Sequence, residues 1–151
     1  EEVLRVAHGS AAYIDLDIRA QQDELHYLRD HHLAVRLITS FHDFESTPSL
    51  NEFESLLTEM QSFAPTIAKF STFCTSPRDA VRILEWGLTL QQRKIPAIAL
   101  GMGPHGVATR IFGTLWGNAL AFTPASTTLA SAPGQYTKAT LTQILNLIQP
   151  D

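Results

Sequence analysis

Thr66-Ile67-Ala68-Lys69-Phe70-Ser71-Thr72 is the stretch on which the reading of this chain turns. Small and apolar residues after Pro65 read as a strand buried on both faces, the kind that fills a parallel sheet. In its middle stands Lys69, one of three lysines in the chain; Lys94 and Lys138 fall where solvent is expected. An ammonium on an apolar strand must be paired, must reach water, or must give up its proton and become a nucleophile.

Outward from that strand, the chain alternates. Before it, residues 49–60 read as a helix, with Ser49 and Glu52 as a capping box and Phe53, Leu56, Leu57 and Met60 on one face. Residues 34–42 form a strand ahead of that helix. Residues 21–31 form another helix, and residues 13–18 an earlier strand on which Tyr13, Asp15 and Asp17 share one face. Residues 1–7 read as a helix closed by Gly9. After the lysine strand, Ser76-Pro77 opens a helix to about residue 93, with Ala80, Val81, Ile83, Leu84, Trp86 and Leu88 expected on its buried side. Residues 96–102 give a fourth strand, 107–115 a helix, 119–123 a fifth strand and 137–148 a last helix.

Five β-α repeats imply one α/β domain over residues 1–151, a parallel sheet covered by helices. Two architectures fit: an open, doubly wound five-stranded sheet, or about five of the eight units of a TIM (β/α)8 barrel. Length alone favours the open sheet, because a barrel needs about 250 residues. The chain also opens inside a helix with no cap before it, so an upstream segment is expected.

Composition narrows the function. A net charge of −4 and a pI near 5.8 leave no basic stripe for nucleic acid. No apolar run reaches the roughly 20 residues that span a bilayer. The acidic, amphipathic start Glu1-Glu2-Val3-Leu4-Arg5 leads us to expect no signal peptide, and the single Cys74 excludes an internal disulfide. A cytoplasmic protein without membrane or nucleic-acid partners is expected.

In either architecture the chemistry gathers at the C-terminal ends of the strands. Asp17, His42, Lys69, Met102 and the Ser131–Gln135 loop collect there. Alone, Lys69 reads as a structural ion pair with Asp15 or Asp17, and His42 as an interior hydrogen-bonded histidine. Together, at the ends of adjacent strands, they read as the amine and the proton shuttle of imine catalysis. Arg110, one turn into the following helix, reads either as an ordinary surface arginine or as a guanidinium within reach of an anionic substrate, whose carboxylate it would hold bidentately. His26, His31, His32 and His105 lack metal-ligand spacing, so neither a metal nor another cofactor is expected. Gly101-Met102-Gly103-Pro104-His105-Gly106 matches a phosphate loop only formally, since Pro104 removes an amide donor.

Five segments, in order, resemble the type I 3-dehydroquinate dehydratases. Ile14-Asp15-Leu16-Asp17 resembles their I-D-x-E/D strand, and Ser40-Phe41-His42-Asp43-Phe44 with Thr47-Pro48 their S-x-H-D-F…T-P segment. Ile67-Ala68-Lys69 resembles the lysine strand, and Met102-Gly103 with Gly106-Val107-Ala108-Thr109-Arg110 the M-G-x-x-G-x-x-S-R segment. Ala130-Ser131-Ala132-Pro133-Gly134-Gln135 matches A-S-A-P-G-Q without change. The resemblance implies a (β/α)8 barrel rather than the open sheet, with three further β/α units before this chain's first strand. It also implies dehydration of 3-dehydroquinate to 3-dehydroshikimate, a step of aromatic amino acid biosynthesis in the shikimate pathway, without a cofactor. Lys69 would form the Schiff base and His42 would be the general acid/base. Arg110 would bind the substrate carboxylate, Ser131 and Gln135 substrate oxygens, and Met102 and Phe122 would wall the pocket. Asp15 and Asp17 would orient or charge-balance the site, and a homodimer is compatible.

The departures are Phe70-Ser71 after the lysine, Thr109 in place of serine, and Phe41 where tyrosine or asparagine is commoner. The glutamate that partners the family's histidine belongs to the units that precede this stretch, so weak or absent activity is expected of the 151 residues alone. The alternatives are a non-catalytic dehydratase-like domain that binds or regulates in quinate and shikimate metabolism, and a class I aldolase, against which the Ala-Pro-Gly-Gln loop argues.

Overall fold

The computed structural model describes residues 2–124 and 135–149. Within them the elements run α1 (Glu2–Ala7), β1 (Tyr13–Asp17), α2 (Gln22–Asp30), β2 (Arg36–Asp43), α3 (Leu50–Gln61), β3 (Ile67–Phe73), α4 (Pro77–Gln92) and β4 (Ala97–Met102). A short 3-10 turn, Pro104–Gly106, leads into α5 (Val107–Leu115), and α6 (Lys138–Ile148) follows.

The four strands pair in sequence order, all parallel. Parallel crossovers are right-handed, so a chain that always steps the same way lays every helix on the same face. A doubly wound sheet must instead reverse its strand order, and this one does not. The sequential order rules out the open doubly wound alternative.

Side chains alternate along each strand, and the two faces are built differently. Leu16, Leu37, Ala68, Phe70, Ala97 and Ala99 meet Phe53, Met60, Ile83 and Trp86 from the helices in one core. Phe53 and Trp86 stack, and Phe70 meets both edge-on, with ring centroids 5.4 to 5.6 Å apart. The opposite, inner face begins with a smaller layer, Ile38, Ile67 and Ile98, joined by Leu100 and Met102. Tyr13, Asp15, Asp17, Ser40, His42, Lys69 and Ser71 share that inner parity.

Two expectations fail. Val81 is 64% exposed and Leu88 37%, with Leu84 only half-buried; α4 buries Asp79, Ala80, Ile83, Trp86 and Leu90 instead. Spacings of three and four residues from Ile83 to Trp86 to Leu90 define the inward stripe, and Val81, Leu84 and Leu88 lie on the flank beside it.

Residues 119–123 do not form a fifth strand; the sheet of the described residues has four. The free edge of β4 is satisfied in another way. Ala119 N–H donates to the Ala97 carbonyl at 2.8 Å. The Asn118 amide accepts from Ala99 N–H at 3.0 Å and donates to the Ala99 carbonyl at 3.2 Å. Gly101 N–H donates to Thr109 Oγ1 at 2.7 Å. One amide, one hydroxyl and one backbone N–H take the places a strand ladder would fill.

Candidate active site

The inner-face polar residues come from three neighbouring strands in one register. Asp17 pairs with Ser40 and Ser40 with Lys69, while His42 pairs with Ser71. His42 and Ser40 lie two residues apart on β2, so the histidine stands one inward step, roughly 7 Å, further toward the C-terminal end.

Lys69 is buried, at 8% exposure, which only a paired or deprotonated lysine tolerates. Its Nζ donates to Asp15 Oδ2 at 2.6 Å, reaching across β2 to β1. It also stands 4.6 Å from the centre of the Phe122 ring, whose electron-rich face attracts a cation. Asp17 holds His42: its Oδ2 lies 2.8 Å from His42 Nδ1 and accepts the His42 backbone N–H at 3.1 Å. Burial pushes the Asp17 carboxyl up, but hydrogen bonds from His42, Arg19 and Ala20 and the nearby imidazole charge outweigh it and hold the pKa below the ordinary value. Phe44 stacks with the His42 ring at 6.1 Å between centroids. Lys69 and His42 thus each have their own carboxylate, and both carboxylates come from β1.

Two loops support this layer. Thr47 Oγ1 donates to the Phe73 carbonyl at 2.8 Å and so ties the loop after β2 to the end of β3. After β4, Gly103 adopts φ 78°, a left-handed conformation suited to glycine, and turns the chain back. Gly106 then lies against the β4 backbone, where a Cβ would come within 2.4 Å of the Gly101 carbonyl carbon. Close backbone approach, not phosphate binding, accounts for these glycines. Thr109 Oγ1 locks the turn by accepting from Gly101 N–H at 2.7 Å and donating to the Gly106 carbonyl at 2.6 Å.

Arg110, the next residue, lines a small cavity with Leu100, Phe122, Tyr136 and Leu141. Burial lowers its guanidinium pKa, and among the described residues no carboxylate pairs with it. Phe122 therefore links Lys69 on one side to the cavity of Arg110 on the other. Met102 is buried in the inner apolar layer. Gln135 is half-buried at the start of the last described segment, next to Tyr136. Ser131 lies outside the described residues. Sequence reasoning overlooked Tyr136, whose position one residue after Gln135 was the available signal. It also left open which aspartate serves which partner; Cβ alternation puts both on the right face, and only the cross-strand register assigns them.

Among the described residues, no three His, Cys, Asp or Glu side chains gather as a metal site. No helix among them is long and apolar enough to cross a membrane.

Fold and site together define a parallel β/α unit of barrel type, with a lysine and a histidine presented on its inner face. The family described as type I 3-dehydroquinase matches residues 1–151, and the chain belongs to it. It is 36% identical over 148 residues to a 3-dehydroquinate dehydratase of Methanococcus vannielii, covering 95% of this chain and 64% of that protein. A 3-dehydroquinate dehydratase of Klebsiella pneumoniae is 31% identical, with 93% of this chain and 57% of that protein covered. Among solved structures, 3-dehydroquinate dehydratase from Geobacillus kaustophilus superposes with a TM-score of 0.83 at 25% identity, over 97% of this chain and 58% of that one. The type I enzyme from Clostridium difficile, solved with covalently modified comenic acid, gives a TM-score of 0.82 at 28% identity over the same shares. The chain thus spans less than two thirds of the length of these relatives, as a partial barrel.

Proposed function

We propose that this chain carries the reacting groups of a 3-dehydroquinate dehydratase that works through a lysine imine in the shikimate pathway. Lys69, as the neutral amine, attacks the substrate ketone, and the carbinolamine loses water to give a protonated Schiff base. The iminium acidifies the adjacent C–H. His42 removes that proton, and the hydroxyl at the next carbon leaves as water with a proton returned by the same imidazole. Hydrolysis of the imine releases 3-dehydroshikimate and restores Lys69.

Arg110 binds the substrate carboxylate, Met102 and Phe122 wall the pocket, and Gln135 and Ser131 hold substrate oxygens. Asp15 is the counter-charge of the resting ammonium. The observation that carries this reading is the juxtaposition of a buried lysine and a histidine on one inner face, each held by a separate carboxylate. A half-buried guanidinium without a carboxylate partner among the described residues supports an anionic substrate, and the relatives' names supply which one. A cytoplasmic homodimer completed by further β/α units accompanies the reading.

Borohydride reduction in the presence of 3-dehydroquinate, followed by intact mass, tests it. The expected result is one adduct on the wild-type chain and none on Lys69→Ala. Absence of the adduct, or its survival in Lys69→Ala, overturns the imine assignment. The Lys69–Asp15 ion pair favours one second reading, a binding domain in which the lysine stays an ammonium. That reading predicts 3-dehydroquinate binding by calorimetry with no trapped adduct.

A further inference from the structure

Lys69 and Asp15 do not sit on neighbouring strands. Asp15 pairs with Ile38, and Ile38 with Ile67, two residues before Lys69. The ion pair therefore spans the whole width of β2 and runs one inward step back along it. Two strand spacings come to roughly 10 Å. A lysine stem of four methylenes closes that gap to 2.6 Å only by lying along the sheet instead of standing off it. The inner face of β2 has to be low where the stem passes.

The inner-parity side chains of β2 are Arg36, Ile38, Ser40 and His42, and Ser40 is the smallest of the four. It is also the one in register with Lys69. Ser40 is 1% exposed, and its hydroxyl has no hydrogen-bond partner among the described residues. The helices pack on the opposite face, so the cover over Ser40 comes from the inner layer, where Lys69 is its immediate neighbour. A buried hydroxyl left unpaired weakens a fold, so no polar contact accounts for a serine here. Its small volume does.

We infer that Ser40 is a positioning residue for Lys69: its short side chain is the saddle over which the lysine stem crosses β2 to reach Asp15. The inference rests on the amine role proposed for Lys69 and adds what places that amine. With the saddle filled, the stem is lifted. Nζ then loses Asp15 and its place 4.6 Å from the centre of the Phe122 ring.

The chain has three lysines, so 13C-labelled lysine gives three ε-methylene NMR signals in the wild-type protein, and Lys69→Ala identifies the relevant one. Held against the face of the Phe122 ring, that signal is expected upfield of those from the exposed Lys94 and Lys138. Ser40→Ala, which keeps the saddle low, is expected to leave it there, and Ser40→Leu to move it towards the other two. Ser40→Leu is also expected to slow borohydride trapping with 3-dehydroquinate at least about tenfold, since a reacting group has been displaced. An unmoved signal or an unchanged trapping rate in Ser40→Leu overturns the inference. So does loss of the upfield shift in Ser40→Ala, which would make the hydroxyl the working part.

Urea midpoints decide the matter even where Ser40→Leu is too unstable for spectra. The substitution is expected to lower the midpoint beside Lys69 and to be tolerated in the Lys69→Ala background, where the stem is gone. Equal lowering in both backgrounds overturns the saddle. The two readings also fail separately. Expected lysine signals without a wild-type adduct sink the imine and leave the saddle standing; an adduct with an unmoved signal in Ser40→Leu does the reverse.

Discussion

Lys69 Nζ and Asp15 Oδ2 meet at 2.6 Å across an intervening strand. The two partners are unequally buried: 11% of the lysine side chain is exposed and 31% of the aspartate's. That inequality fixes which partner the fold can lose.

Asp15→Asn strands an ammonium in an apolar layer, whereas Lys69→Met leaves a carboxylate that still reaches water. Breaking a fully buried pair costs about 3–5 kcal/mol, and the exposure of Asp15 reduces this to about 1–3 kcal/mol for Asp15→Asn. Lys69→Met is expected to cost less than about 1 kcal/mol, because a hydrophobic replacement of similar volume is often neutral. Urea unfolding midpoints measure both, and the reverse order of stabilities refutes the assignment of the pair.

Thr109 makes a separable prediction. Its hydroxyl bridges Gly101 N–H and the Gly106 carbonyl, and the residue is fully buried. Thr109→Val keeps the shape but orphans both backbone groups, at about 1–3 kcal/mol. Thr109→Ser keeps the hydroxyl and should lose well under half as much. Thermal unfolding of the two variants distinguishes the bridge from simple packing, which predicts the larger loss for Ser.

Gly106 tests the close approach of the same turn. Ala at this position places a Cβ 2.4 to 2.9 Å from backbone atoms of Gly101, which cannot move aside as a flexible side chain could. Gly106→Ala is expected to destabilise by at least about 1–3 kcal/mol, the range for overpacked cores. It should also weaken binding of a carboxylate ligand, since the turn positions the helix of Arg110. Unchanged stability would mean that the turn is not packed as described.

Asp79 governs the acid limb of stability. Its Oδ2 accepts from Thr75 N–H, Thr75 Oγ1 and Ser76 N–H at 2.8 to 3.1 Å, and Oδ1 accepts from Arg82 at 3.0 Å. Burial pushes its carboxyl up, but these bonds and the Arg82 charge hold the pKa below the ordinary 3.8. A carboxylate whose folded pKa is depressed stabilises the protein above its unfolded pKa, and that stability disappears as pH falls through the folded value. Asp17 and Asp43 act in the same direction. Wild-type stability should therefore fall from about pH 4 downward, and Asp79→Asn should show a shallower fall from a lower plateau. Urea titrations between pH 6 and pH 2.5 check the sign; an equally steep fall in the variant would remove Asp79 from the account.

What could be read from the sequence divides along physical lines. The lysine strand, the capping box at Ser49 and the β-α alternation depend on local pattern, and the structure contains them. The buried flank of α4 was misjudged because Val81, Leu84 and Leu88 are apolar at helical spacing too, and pattern does not say which of two stripes meets the sheet. Residues 119–123 carry strand-like composition, yet the edge they would pair with is taken by Asn118 and Thr109, side chains whose reach no local pattern reveals. Length alone favoured the wrong architecture. The resemblance carried by the five motifs already pointed to the barrel, and the sequential order of the strands, a property of long-range pairing, agrees with it.

Both carboxylates that hold Lys69 and His42 come from β1, and among the described residues β1 has a neighbouring strand on one side only. A marginal strand is the part of a sheet most easily bent, shifted or extended by whatever lies beside it. Any small displacement there is felt by Lys69 and His42 at the same moment and in the same sense, because Asp15 and Asp17 move as neighbours on one backbone. The amine and the imidazole are thus ganged to a single lever at the boundary of the sheet, and a strand laid against that boundary would tune them jointly.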